Sequence, residues 1–166
     1  MIKRILLPEA EGQRRLLIDS NLLVLYIVGS VNIKRITSFK RTNKYLPADY
    51  RLLTGLMGEF LEICMVPQVI TEVSNLTDMD GRERALAREM LRQVIHQTTE
   101  SGVSSSAASR HALFPGLGIA DAAIAVACQE LNCMVLTDDL PLYIRLTSLG
   151  LSVVNYTHLR ERFQIL

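Results

Sequence analysis

The chain has 166 residues, enough for one domain with a self-sufficient core and too few for two ordinary ones. Its composition, 49% hydrophobic and 21% charged, is that of a globular protein and excludes a disordered or fibrous chain. Eighteen Lys and Arg against seventeen Asp and Glu give a formal charge of +1, which excludes a polybasic nucleic-acid coat and an acidic tail but leaves room for a local basic groove. The three cysteines form no CxxC, so neither a disulfide framework nor a zinc knuckle is expected, and a reducing, cytoplasmic compartment is the simplest reading. The apolar run after Lys3 and Arg4 is too short for a signal peptide. The longest one, Leu22 to Val28, is too short to span a membrane, so a soluble protein is expected.

Residues 1–166 read as a single domain, with 1–15 as an N-terminal extension and 30–46 as a basic insertion. Leu16 to Ile18 reads as a buried strand, ending at Asp19-Ser20-Asn21, three residues of the helix-capping type. A helix follows from Leu22 to about Val28, closed by Gly29. Lys34, Arg35, Lys40, Arg41 and Lys44 then occur without an intervening acid, in a stretch that reads as a loop, with room for a short strand. Pro47 opens a helix with apolar residues at helical spacing through Leu61. Ile63 to Val66 is a second strand, and Pro67 opens the next helix. A long charged helix is expected from Gly81 to about Gly102, and the Ser- and Ala-rich residues 101–111 read as a linker. Ile119 to Leu131 is a helix of small residues. Cys133 to Leu136 is a third strand, ending in Thr137-Asp138-Asp139. A helix from Pro141 to Leu149, a strand from Leu151 to Val154 and a short helix from Thr157 to about Phe163 complete the chain. Unalternating apolar strands separated by helices predict an α/β three-layer α/β/α sandwich with a mainly parallel sheet of four or five strands.

Four acids stand out. Asp19 and Asp139 follow buried strands, where open parallel sheets place their sites. Glu72 lies between apolar positions one turn into a helix, and Asp121 is the only charge between Arg110 and Glu130. Each has an ordinary explanation: helix caps for Asp19 and Asp139, a first-turn acid on the helix dipole for Asp121. Their joint explanation is a site for a hard divalent cation, because clustered carboxylates repel and oxygen ligands without His or Cys suit Mg²⁺ or Mn²⁺. One metal or two would satisfy the ligand count. His96, His111 and His158 lack ligand spacing.

With these pieces in order, the sequence resembles the PIN-domain nucleases. The matching pieces are Leu17-Ile18-Asp19-Ser20-Asn21, Val66-Pro67 through Glu72-Val73, Gly118 through Ile124, and Val135-Leu136-Thr137-Asp138-Asp139. The resemblance implies a metal-dependent endoribonuclease with Asp19, Glu72, Asp121 and Asp139 as both catalytic and metal-binding quartet, leaving a 5′-phosphate and a 3′-hydroxyl. It chooses Asp139 over Asp138 through a Thr-x-Asp pattern. Asp138 is then an auxiliary ligand or a solvated neighbour, Asn21 and Thr137 orient carboxylates or water, and Ser20 is a cap. Many members are toxins of bacterial toxin–antitoxin pairs, so a neutralising antitoxin-like protein and a homodimer are implied partners. Residues 30–62 are longer than in those compact toxins, which weighs against the toxin assignment more than against the nuclease.

Lys34, Arg35, Lys40, Arg41 and Lys44 are the candidate RNA-backbone contacts, with Phe39 available to stack on a base; a solvated loop or a docking surface is the plainer alternative. The apolar residues Leu22 to Ile27 serve either a dimer contact or the core. The competing function is a catalytically weak PIN-like module that binds RNA or docks a partner. A phosphohydrolase with Asp19 as nucleophile is disfavoured by Asn21, where a second acid is wanted.

Overall fold

A computed structural model describes residues 12–165. Of the N-terminal extension, residues 1–11 lie outside the described residues. The first strand, β1, is Arg15–Ile18, and helix α1 follows at Ser20–Val31. A single turn of 3-10 helix at Ile33–Arg35 leads through successive turns to α2, Pro47–Met57. Then come β2 at Glu62–Met65, α3 at Pro67–Leu76 and α4 at Gly81–Gln97. A two-residue strand, β3, occupies Thr99–Glu100, followed by α5 at Ser105–Arg110 and α6 at Phe114–Leu117. Helix α7 is Ile119–Leu131, β4 is Met134–Thr137, α8 is Leu140–Ser148, β5 is Val153–Asn155 and α9 is Tyr156–Arg162.

The five strands form one parallel sheet in the order β3-β2-β1-β4-β5, covered by helices as a three-layer α/β/α sandwich. Leu17 pairs with Cys64 on one side and with Val135 on the other. The chain therefore builds outward from β1 through β2 to β3, then returns to the far side of β1 for β4 and β5. The order reverses between β1 and β4, and that reversal opens a crevice at the carboxyl ends of those two strands.

Helix α1 is apolar all round because it is buried all round: Leu22, Leu23, Val24, Leu25, Ile27 and Val28 are inaccessible, and α2, α3 and α4 pack against it. Of the two readings of Leu22 to Ile27, the structure favours the core. Gly29 does not close the helix but lies inside it, where a Cβ would stand 2.3 Å from the Tyr50 ring. Gly29→Ala is therefore expected to lower stability by about 1–2 kcal/mol, because overpacking against the ring outweighs the gain of about 1 kcal/mol in helix propensity. Urea unfolding measures it, and a more stable variant would contradict the packing account.

The basic insertion holds no strand. Phe39 is 7% exposed and packs into the core, so it is not available to stack on a base. Helix α4 stops at Gln97 rather than Gly102, and the expected linker contains α5, capped by the Ser104 hydroxyl, which accepts from the Ala107 N–H at 3.0 Å. No described helix is long and apolar enough to cross a membrane.

Candidate functional site

Strand β1 delivers Asp19 to the crevice. Its backbone N–H donates to the Leu136 carbonyl at 3.1 Å, which ties it to β4. Its side chain does two things at once. Oδ1 accepts the Leu22 N–H at 2.9 Å and caps α1, while Oδ2 accepts the Thr137 hydroxyl and the Asp138 backbone N–H, the latter at 3.1 Å. Capping and site membership are thus compatible, because a carboxylate has about four acceptor positions. Asp19 is buried. Burial first, then repulsion from Asp138, pushes its carboxyl above the usual range, and the hydrogen bonds from Thr137, Leu22 and Asp138 pull it part of the way back.

Asp139 reaches the same crevice from β4. Its Oδ1 caps α8 by accepting the Leu142 N–H at 2.9 Å, and its own N–H donates to the Thr137 hydroxyl oxygen at 2.9 Å. Thr137 therefore touches both strand-end residues, the carboxylate of Asp19 and the backbone of Asp139. Asp121 sits in the first turn of α7, after Gly118, whose φ of 89° only glycine adopts cheaply. Its carboxylate makes no hydrogen bond or ion pair with any described residue. Glu72, on α3, is exposed rather than enclosed and accepts the Ser20 hydroxyl. All four acids line one cavity of about 210 Å³, together with Ser20, Asn21, Leu117 and Ala120.

Burial, then the charges of Asp139 and Glu72, push Asp121 up to about 7. A carboxyl raised in this way favours folding fully below its unfolded value of about 4. That contribution is lost as pH rises toward 7. In chelator, Asp121→Asn is expected to be more stable than the parent at pH 8 by about 1–2 kcal/mol, a figure reduced for the residue's partial exposure. The difference should vanish near pH 4 in thermal melts. An equal gap at both pH values would show that Asp121 carries no buried charge.

Beside the cavity, Asp138 is neither a member of the quartet's cavity nor a solvated neighbour. Its side chain, 4% exposed, accepts from Asn21 Nδ2 at 3.1 Å, from Lys44 Nζ at 2.5 Å and from the Tyr45 hydroxyl. Asn21 thus orients Asp138 rather than one of the four cavity acids. Burial, then the Asp138 charge, pushes the Tyr45 phenol up, so it stays a donor throughout the physiological range. Arg160 extends the arrangement: it donates to the Lys44 carbonyl at 3.1 Å and to buried Asp49 at 2.6 Å. The insertion is therefore fastened to the acid end of the sheet.

This changes the reading of the five cations. Lys44 is paired with Asp138, and Arg35 with Glu83 at 2.9 Å. Lys34, Lys40 and Arg41 are exposed and without an ion pair to any described residue. Ser20 and Tyr45 were not foreseen as site residues. Ser20 could have been suspected, because Asp19 already occupies the cap and leaves the next hydroxyl free to act elsewhere. Nothing local marked Tyr45.

No protein-family model matches this sequence. No curated protein matches it either. The fold is similar to the crystal structure of PAE2754 from Pyrobaculum aerophilum, with a TM-score of 0.53, 16% identity, and coverage of 95% of this chain and 99% of that one. At that identity the likeness speaks for the fold alone.

The donor chemistry of the cavity suits a hard divalent cation: carboxylate and hydroxyl oxygens, no Lys, Arg or His in the lining, and one half-buried carboxylate without a positive partner. Among the described residues, no group of three or more His, Cys, Asp or Glu side chains is arranged to hold a metal ion as it stands. Like charges with nothing positive between them are expected to stand apart.

Proposed function

We propose that the protein is a metal-dependent endoribonuclease whose site is the cavity of Asp19, Glu72, Asp121 and Asp139. One observation carries the reading. Four acids from four elements, spread over 121 positions of the chain, line a single small cavity at the switch point of a parallel sheet. The resemblance of the four motifs to PIN-domain nucleases supports it.

In this reading the four carboxylates hold Mg²⁺ or Mn²⁺, which when bound lowers the pKa of a water and offsets charge on the phosphodiester. The chain's own groups prepare that arrangement. Thr137 and the Asp138 N–H aim Asp19; the Thr137 hydroxyl oxygen fixes the backbone that carries Asp139; Ser20 holds Glu72. Lys34, Lys40 and Arg41 are the cations left to meet the RNA backbone, which they would bind without reading sequence. Cytoplasmic location, a neutralising partner and a homodimer belong to the same proposal.

The test is incubation of labelled single-stranded RNA with purified protein in Mn²⁺, in Mg²⁺ and in chelator. Cleavage leaving 5′-phosphate ends in either metal, and none in chelator, is expected; no cleavage in any metal would remove the reading. The second reading is a PIN-like module that binds RNA or a partner with little catalysis. It is favoured by the absence, among the described residues, of a ready three-acid group. RNA binding that persists in chelator with no cleavage anywhere is its signature.

A further inference from the structure

Asp138 stands where a charge is costly. Its side chain is 4% exposed, and it adds a second negative charge beside buried Asp19. Three donors meet it there. Asn21 Nδ2 donates to Oδ1 at 3.1 Å, while Lys44 Nζ, at 2.5 Å, and the Tyr45 hydroxyl donate to Oδ2. A buried carboxylate bonded through both oxygens is held against turning.

Two of those donors come from the insertion, and of the two Tyr45 is the one fixed in place. The Lys44 side chain is half exposed, whereas Tyr45 is 1% exposed. The Tyr45 N–H donates to the Thr42 carbonyl at 2.8 Å, and the Thr42 hydroxyl donates to the Ile36 carbonyl at 2.8 Å. The Arg160 guanidinium, bound to Asp49, lies 5.6 Å from the centre of the Tyr45 ring. The phenol therefore reaches Asp138 from a rigid base, and a buried hydroxyl needs its partner as much as the carboxylate needs the donor.

The turn between β4 and α8 is what this contact holds. Asp138 lies between Thr137, whose hydroxyl donates to Asp19, and Asp139, which caps α8. Its own backbone N–H is the second donor on Asp19 Oδ2, at 3.1 Å. Fixing the Asp138 side chain thus fixes the N–H that aims Asp19, although Tyr45 does not line the acid cavity.

We propose that Tyr45 is a positioning residue of the acid cavity: by clamping Asp138 it keeps the Asp138 N–H on Asp19 and so sets the affinity of the site for a divalent cation. The inference rests on the metal reading of the cavity and gives the insertion a part in it, a brace supplied from 93 positions away.

The experiment compares Tyr45→Phe with the parent in two measurements. Phenylalanine keeps the ring and the net charge, so only the hydroxyl is lost. In chelator, amide hydrogen exchange followed by NMR is expected to be about tenfold faster at the Asp138 N–H. It should be unchanged at the Val135 N–H, which donates to the Ser152 carbonyl at the other end of β4. In Mn²⁺ titrations followed by electron paramagnetic resonance, the dissociation constant should rise about tenfold, the usual effect of losing a group that orients a ligand. Gly29→Ala, about 15 Å along α1 from Asp19, is the control: it loses stability and should keep the parental Mn²⁺ affinity. Faster exchange at both amides would make Tyr45 a stabilising residue only and overturn the proposal. So would parental exchange at Asp138, or parental Mn²⁺ affinity, in Tyr45→Phe. A parent that binds no Mn²⁺ removes the metal reading and the affinity claim with it, whereas the clamp on Asp19 stands or falls on the exchange rates, which need no metal.

Discussion

Asp19→Asn is expected to lower metal-supported RNA cleavage by about a hundredfold or more while leaving the protein folded. The first half follows from position. Asp19 is the acid at the end of the central strand, buried, and aimed by Thr137 and the Asp138 N–H. An amide there lacks the negative charge that would hold a cation in the proposed reading. The second half follows from capping. Asn caps helices as well as Asp, so its oxygen keeps the Leu22 N–H. The Asp138 N–H and the Thr137 hydroxyl both lose the Oδ2 acceptor, which costs about 1–2 kcal/mol. The variant also loses the repulsion between Asp19 and Asp138 that raises the parent's carboxyl, and the two changes offset each other. Initial cleavage rates, beside circular dichroism melts of both proteins, decide it. A folded variant that cuts RNA at the parental rate would exclude Asp19 from the chemistry.

Arg160→Met is expected to lose about 3–5 kcal/mol of stability, the cost of leaving one member of a buried ion pair without the other. Arg160 is 7% exposed and Asp49 is fully buried; the guanidinium contacts both carboxylate oxygens, at 2.6 and 3.1 Å. Asp49 also accepts the Leu46 N–H at 2.7 Å at the start of α2, and its carbonyl accepts the Tyr156 hydroxyl at 2.6 Å. The orphaned charge would therefore sit where α2, α9 and the insertion meet. A domain of this size has about 5–15 kcal/mol in total, so the loss should be visible as a fall in melting temperature of about 6–20 °C. Adding Asp49→Asn removes the orphaned charge and should restore part of the loss. A double variant no more stable than Arg160→Met alone would show that the cost lies in packing.

The four longer strands were legible because each carries a short apolar stretch without alternation, wholly buried in β4 and buried beyond the first residue or two in β1, β2 and β5, and such stretches have no other comfortable place in a small domain. Strand β3 was not. Thr99 and Glu100 are polar and exposed, and they form a strand only because β2 offers Cys64 and Met65 as partners. Gly29 reads locally as a helix terminator, yet it is required by the approach of Tyr50 from a different helix. The basic stretch reads as one electrostatic unit. In the structure its members separate, with Lys44 and Arg35 paired to acids 94 and 48 positions away.

The sequence by itself determined the α/β sandwich and named the four acids of the cavity. Hydrophobic period and strand-end position are local properties, and a carboxylate in an apolar setting is conspicuous wherever the chain goes. Only the tertiary structure decided that those acids share one cavity and that Asp138 fastens the insertion instead of joining them. Such relations depend on which strands become neighbours, and neighbourhood is set by packing across the whole core rather than by any stretch of residues that could be read alone.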